Sequence, residues 1–454
     1  MLQQRNTLRQ VYRRVMTLSH GYARPLSSHR LAVGVLVAAS VIAGPVFRTA
    51  SGVARASQVP VVPGAEGFGT TTVAGRGGAI LRVTTLKDGG PGSLRAALLT
   101  PGPRTIIFET SGTIVINRDL EIRSPYVTVA GQTAPSPGIT IRGAGLDIQT
   151  HDVLVQHLRI RVGDEVGGPP PGNFGNRQGL KIENVKGGVF NVVADHLSVS
   201  WPLGKSSTWY PLHDVTISHC IFSEGLLSPQ YPYSMGLLLG DSGTNVSVIG
   251  SLFAHNDERN PYVKGATTAI FANNLIYDPG HFAVMLSDYN HTGPFAVTIV
   301  GNVMIPGPST VKPHIVQALT QVPRGSRVYM ADNLAPAQLY QSPGIVDPTV
   351  GTAPVWTTPL TVRPAGQVEA WVLATAGARP ADRDAVDQRL ITEVRTRTGR
   401  IITSQTDVGG WPDLAVNVRS LTLPANPNGD SGNGYSNLEI WLQQFAAQVE
   451  GRSP

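Results

Sequence analysis

Few side chains in this chain are equipped for chemistry, and they do not form the familiar constellations. The run Asp257–Glu258–Arg259 sets two carboxylates beside a guanidinium. Asp195 and His196 form a carboxylate–imidazole pair, the kind that moves protons at neutral pH and equally the kind that braces a turn. Lys205, in SWPLGKSS, and Lys264, in NPYVKG, are cations in otherwise uncharged surroundings. The single cysteine, Cys220, excludes a disulfide scaffold and a cysteine-ligated zinc or iron–sulfur centre. A glycoside hydrolase would need two carboxylates roughly 5–9.5 Å apart across the scissile bond, and no paired-acid motif stands out.

The elements that must hold these residues are turn-rich and short. Of 454 residues, 50 are Gly and 35 Pro, while 41% are hydrophobic and only 15% charged. This is too apolar for disorder and too rich in helix breakers for a coiled coil. The first 56 residues carry eight Arg, no Lys and no Asp or Glu, followed internally by the apolar run from Leu31 to Gly44 and the small-residue exit Ala54–Ala56. Basic flank, short apolar core and small-residue exit describe a secretory signal, and the run is shorter than the roughly 20 residues that span a bilayer. Residues 1–56 are therefore expected to be a leader whose removal exports the protein, to the outside or the periplasm. The formal charge of +6, less those eight arginines, is −2. No global basic surface remains for nucleic acid, so an anionic ligand must find a local cluster of cations.

One pattern recurs along the middle of the chain. Short β-branched runs place their second residues at 127, 153, 192, 215, 246, 269, 297 and 328, a basal step of 23 with additions. Runs this short, alternating with period two, predict one strand per coil of a solenoid with insertions on one side. Five residues further on stand Leu158, Leu197, Cys220, Ser251, Asn274, Asn302 and Asn333. The three Asn at one turn position predict an amide ladder along the axis, with Asn tolerating a left-handed turn, and make Cys220 an inward core thiol. Residues 93–99 form a helix candidate ahead of the coils. Asp384 is the expected cap of a helix carrying Val386, Leu390, Ile391 and Val394 and stopped by Gly399, and a last helix carries Leu438, Trp441, Leu442 and Phe445.

Several segments then carry a family resemblance. GAEGFG at 64–69, GRGG at 75–78, DGGPGSLRAAL at 88–98, RTIIFETSGTI at 104–114 and VTVAGQTAPSPGITI at 127–141 are similar to the opening of the pectate lyase family. DHLSVSW at 195–201, ISHCIFSEGL at 217–226 and SLFAHNDERNP at 251–261 are similar to its central coils. VLATAGARPADRDAVD at 372–387 and VGGWP at 408–412 resemble its tail. The resemblance implies an all-β, single-stranded, right-handed parallel β-helix with short helical caps. The solenoid would occupy 57–335, a tail with one helix 336–415, and a C-terminal capping segment 416–454.

It also implies a secreted, monomeric polysaccharide lyase that cleaves an acidic, pectate-like polymer by β-elimination. That reaction needs a base for the C5 proton, positive charge for the enolate-like intermediate, and neutralisation of the uronate carboxylate. Arg259 aligns with the family's catalytic base, a role that requires its guanidinium to lose a proton more easily than usual. Lys264 stands where another family Arg is expected, with Tyr262 at a third such position. Asp195, His196 and Lys205 are the substrate-contact candidates. Calcium, which the family holds with clustered carboxylates, is doubtful, because the aligned positions are Gln178, Gly204 and Lys205. Met235 stands where relatives present a polar or cationic side chain. The loop at 428–442 resembles a calcium-loop tail, yet its Glu439 falls one position short, which favours a plain capped helix. The alternative function is a β-helix that binds glycans without cleaving them. Under the lyase reading, Arg259, Lys264, Lys205 and Gln178 share one groove.

Overall fold

The computed structural model describes residues 59–165, 177–227, 233–311, 316–318, 322–336, 340–341 and 349–453; the leader lies outside the described residues. Within them the chain winds as a right-handed parallel β-helix. Its described strands fall into three sheets of ten, nine and eight, each built only of parallel neighbours one coil apart. A representative coil runs through Leu180–Glu183 in the nine-stranded sheet, Val189–Asp195 in the ten-stranded sheet and Ser198–Ser200 in the eight-stranded sheet, and the next coil begins at Ser206–Trp209.

The predicted register holds at every step. Val127, Val153, Val192, Val215, Val246, Ala269, Val297 and Val328 are successive partners in the ten-stranded sheet. Their side chains point inward and are fully excluded from solvent. Each buried Val or Leu contributes about 1.5–3 kcal/mol, so stacking equivalent residues produces one continuous core from coils that could not fold alone.

The amide ladder is present and longer than three residues. The Asn302 side-chain carbonyl accepts from the backbone N–H and side-chain amide of Asn274 at 2.9 and 3.0 Å, and Asn333 does the same for Asn302 at 2.9 and 3.0 Å. Toward the N-terminus the column continues as Asn274 to Ser251, Ser251 to Cys220 and Cys220 to Leu197. Cys220 is a buried member of it, and burial pushes its thiol pKa far up. The left-handed residue is not the ladder residue but the one before it: His157, His196, His219, Asn273 and Asp332, with φ from 49° to 59°. The ladder position carries amides for hydrogen bonding along the axis, and the preceding position absorbs the turn.

Four α-helices complete the described residues. Helix α1 (Leu94–Leu99), capped by the Ser93 hydroxyl, covers the first coil with Leu94 and Leu98. The tail holds two helices where one was expected: α2 (Ala365–Thr375) and α3 (Ala385–Thr396). Both press apolar residues, Val368 and Val372 with Leu390 and Ile391, onto Ile221, Leu252 and Leu275 of the eight-stranded sheet. Helix α2 is apolar over most of its circumference and therefore lacked the one-sided stripe by which α3 was legible. Asp384 caps α3 as expected, but Arg397 in the left-handed conformation, not Gly399, closes it. Helix α4 (Asn437–Glu450) lays Leu438 and Leu442 on Ile107 and Ala130, covering the flank of the early coils. No helix of the described residues is long and apolar enough to cross a membrane.

Candidate active site

The outward face of the nine-stranded sheet gathers most of the expected residues. Register places Glu121, Asp147, Lys181, Ser207, Leu238, Tyr262 and Met285 in one outward row. The turns that enter this sheet lie along one edge of the row and bring Gln178, Lys205, Met235 and Arg259 onto successive coils, with Gly204 level with Gln178 and Met235 and Lys205 one residue further on. The connections are Gly179 N–H to the Lys205 carbonyl, Ser206 N–H to Gly236, and Leu237 N–H to the Arg259 carbonyl. Residues more than 80 positions apart thus meet at one place.

Arg259 occupies the left-handed region at φ 65°, an unusual conformation for a long side chain and one held only by its surroundings. Asn256 and Asn260 hold it there. The Asn256 amide donates to the Asn260 side-chain carbonyl at 3.1 Å and accepts from Gly225 N–H at 2.9 Å, while the Asn260 amide donates to the Phe282 carbonyl at 3.0 Å. The Arg259 guanidinium lies over the Tyr262 ring, 5.4 Å from its centroid, and its Nε donates to Glu258 at 3.2 Å. It remains about one-fifth exposed, open to a ligand on the face.

Lys205 is the most telling residue of the cluster. It is 8% exposed, and its ammonium lies 5.0 Å from the centroid of Trp209. It pairs with no carboxylate among the described residues. Burial, reinforced by the nearby positive charge of Arg259, lowers its pKa to about 8. The negative charge of Glu183 acts on it in the opposite sense without forming an ion pair, and a buried cation not held in an ion pair is costly.

Lys264 also lies here, 5.4 Å from the Trp209 centroid, but its charge is spent. Its ammonium bonds Asp241 at 2.9 Å, and Asp241 also accepts from Asn290 and Thr292. Lys264 is therefore a brace of the site rather than a free cation, a correction to its expected catalytic part. Gln178 accepts from the Ser207 hydroxyl at 2.8 Å, and Met235 is buried and bridged to Glu258.

Asp195 and His196 do not belong to this face. They sit in the turn between the ten- and eight-stranded sheets. The Asp195 carboxylate accepts from Gln156, His196, Ser218 and His219 at 2.8–3.1 Å, so every lone-pair direction is used within the solenoid. Their expected contact with substrate is corrected to a bracing role.

The residues present do not fit calcium. Gln178, Gly204 and Lys205 offer no carboxylate, and the acids further along the face are engaged. Asp119 and Asp147 hold the Lys181 ammonium at 3.0 and 2.8 Å, filling the space between them with a cation. Among the described residues no three metal-capable side chains converge on this face. At 428–442, Glu439 closes a capping box with Ser436 and pairs with Arg76 at 2.8 Å, so that loop is a helix start.

Sequence reasoning passed over Trp209, Asp241, Lys181 and Glu183. One signal was available: Lys264 and Asp241 are 23 residues apart, the basal coil step, so opposite charges at that spacing mark a pair.

No family model matches the chain. The probable pectate lyase C of Aspergillus flavus is 32% identical over 428 residues, covering 86% of this chain and 94% of that protein. The probable pectate lyase C of Aspergillus fumigatus is 31% identical over 427 residues, covering 84% and 93%. Among solved structures, jun a 1, the major allergen from cedar pollen, superposes with a TM-score of 0.51 at 18% identity over 68% of this chain and 91% of its own, a likeness of fold. With that identity extending over nearly the full length of the relatives, the chain belongs to the pectate lyase family of polysaccharide lyases.

Proposed function

We propose that this lyase cleaves an acidic, pectate-like polysaccharide on the outward face of the nine-stranded sheet, by β-elimination that uses side-chain cations where relatives use calcium. The observation that carries this is Lys205, a buried ammonium without a carboxylate partner beside Arg259. A uronate carboxylate bound there supplies the missing anion. Withdrawal of its charge acidifies the C5 proton. A base takes that proton, the electron pair moves toward the carboxylate, and collapse of the intermediate expels the C4 oxygen, which leaves with a proton and a C4–C5 double bond behind it. Trp209 and Tyr262 supply ring faces for sugars, with the apolar Leu238 and Met285 packed beside them. The leader is proposed to deliver the enzyme outside the cytoplasm.

Resemblance gives the base to Arg259, with Lys205 as the counter-charge. A second assignment is favoured by the lowered pKa of Lys205: its free amine abstracts the proton while Arg259, fixed against Glu258, stays cationic. The pH dependence of kcat/KM separates them. A counter-charge makes activity fall as pH rises through about 8, and K205R, always charged, removes that fall. A base makes activity rise through about 8, and K205R abolishes turnover. Activity is read as short-ultraviolet absorbance of the unsaturated product, with and without chelator. Binding without absorbance on any uronate polymer would establish the glycan-binding alternative, and loss of turnover on chelation would refute the calcium-independent mechanism.

A further inference from the structure

Away from the sheet face, a column of imidazoles meets the end of helix α4. His157, His196 and His219 occupy the same turn position on successive coils and stack, with ring centroids 5.0 and 4.7 Å apart. Each ring has its Nδ1 committed. That of His157 faces the Ala378 carbonyl at 2.8 Å, and those of His196 and His219 face the Asp195 carboxylate at 2.8 and 3.1 Å. These oxygens can only accept, so each Nδ1 carries a proton, and in a neutral ring the Nε2 is then a bare lone pair.

Two of those lone pairs are aimed at one carboxylate. The Nε2 of His157 lies 3.5 Å from one oxygen of Glu450, and the Nε2 of His196 lies 3.8 Å from the other. The Nε2 of His157 is buried without a hydrogen-bond partner, in a residue fully excluded from solvent. The Arg452 guanidinium already pairs, at 2.5 Å, with the Glu450 oxygen that faces His196, but nothing among the described residues donates to or binds the buried Nε2 of His157. A single proton would satisfy one ring and leave the other opposed to the carboxylate. Two protons would stack two charged rings with desolvated edges. A divalent ion satisfies both rings and the carboxylate together.

We propose that His157 Nε2, His196 Nε2 and the Glu450 carboxylate form a site for a divalent transition metal of the zinc, cobalt or nickel class, which clamps helix α4 to the solenoid turns. The three ligand atoms lie within 4.8 Å of one another. A tetrahedral ion with ligands at 2.0–2.1 Å sets them about 3.3 Å apart, so the observed spacing needs to contract by only a fraction of an ångström to about 1.5 Å. The Nδ1–H donors to Asp195 and to Ala378 are the outer contacts that fix ring tautomer and orientation around such ions. Nitrogen donors select these metals over calcium, which separates this clamp from the family's calcium chemistry.

The test uses the purified full chain, stripped with chelator and titrated with zinc or cobalt chloride. The expected result is one equivalent bound per chain, tetrahedral cobalt absorption, a raised Tm with zinc and no comparable effect of calcium chloride. E450Q is expected to remove the cobalt spectrum and the Tm increase while retaining lyase activity, which shows that it folds. D195N, which weakens the outer contact together with the bonds from Gln156, Ser218 and His219, is expected to weaken affinity about 10–100-fold. Stoichiometric binding that survives unchanged in E450Q, or stabilisation by acid alone with no effect of zinc or cobalt, would overturn the proposal.

Discussion

At the scale of single residues, the candidate site depends on which cations are already neutralised. Lys205 and Lys264 flank the same indole, yet one is open and the other is bound to Asp241. Residue type alone could not separate them, because the partner lies one coil away and is invisible to local reading. The distinction predicts different consequences of substitution. Removing one member of a buried ion pair strands the other, at about 3–5 kcal/mol. K264M is therefore expected to lower unfolding free energy by about that amount in urea titrations, and D241N introduced alongside it to recover part of the loss. K205M, which removes an unpaired buried charge, is expected to leave stability unchanged or raised while lowering kcat/KM. Equal destabilisation by K205M and K264M would contradict the assignment.

At the scale of elements, the strands and the ladder were legible because a solenoid writes its register into the sequence. The β-branched positions and the Asn column repeat at the coil step, and equivalent residues must touch. Asp195 and His196 were ambiguous for the converse reason. Carboxylate and imidazole suit catalysis and bracing equally, and only the hydrogen bonds from Gln156, Ser218 and His219 show which applies. Helix α2 escaped notice because its apolar residues are spread around the helix rather than gathered in one stripe. The ladder makes a specific claim about cooperativity between coils. Asn302 is fully buried and bonds Asn274, Asn333, Phe271 and Val300. N302A leaves the Asn274 amide and the backbone N–H of Asn274 without their acceptor, at about 1–3 kcal/mol for each group left unpaired. Urea titration is expected to show a lower midpoint with an unchanged slope. A changed slope would mean that the coils on either side unfold separately.

At the scale of the whole molecule, the tail is joined to the solenoid through buried charges, and one of them couples the joint to pH. Arg161 bonds Asp384 and Asp387 at 3.0 and 2.8 Å beneath helix α3, while further along the same helix Glu393 faces His255. The His255 ring lies between Asp278, at 2.8 Å on Nδ1, and Glu393, at 3.3 Å on Nε2. These partners outweigh burial and raise its pKa from 6.5 to about 9, and the same contact with His255 holds the Glu393 carboxyl below its usual range. The protonated ring is the form the fold favours. Its stabilisation is complete below the unfolded pKa of 6.5 and is lost as pH rises to about 9, a change on the order of 3 kcal/mol. The lowered carboxyl of Glu393 acts on the opposite side, stabilising above the ordinary carboxylate pKa and losing that effect as acid protonates it. Denaturation is therefore expected to show stability declining from near pH 6.5 to about pH 8 with the uptake of about one proton on folding, above which the lowered pKa of Lys205 acts in the opposite sense. H255Q, although less stable, is expected to be flat between pH 6.5 and about 8. A wild-type protein whose stability is constant there would show that the joint between tail and solenoid holds without the charged imidazole.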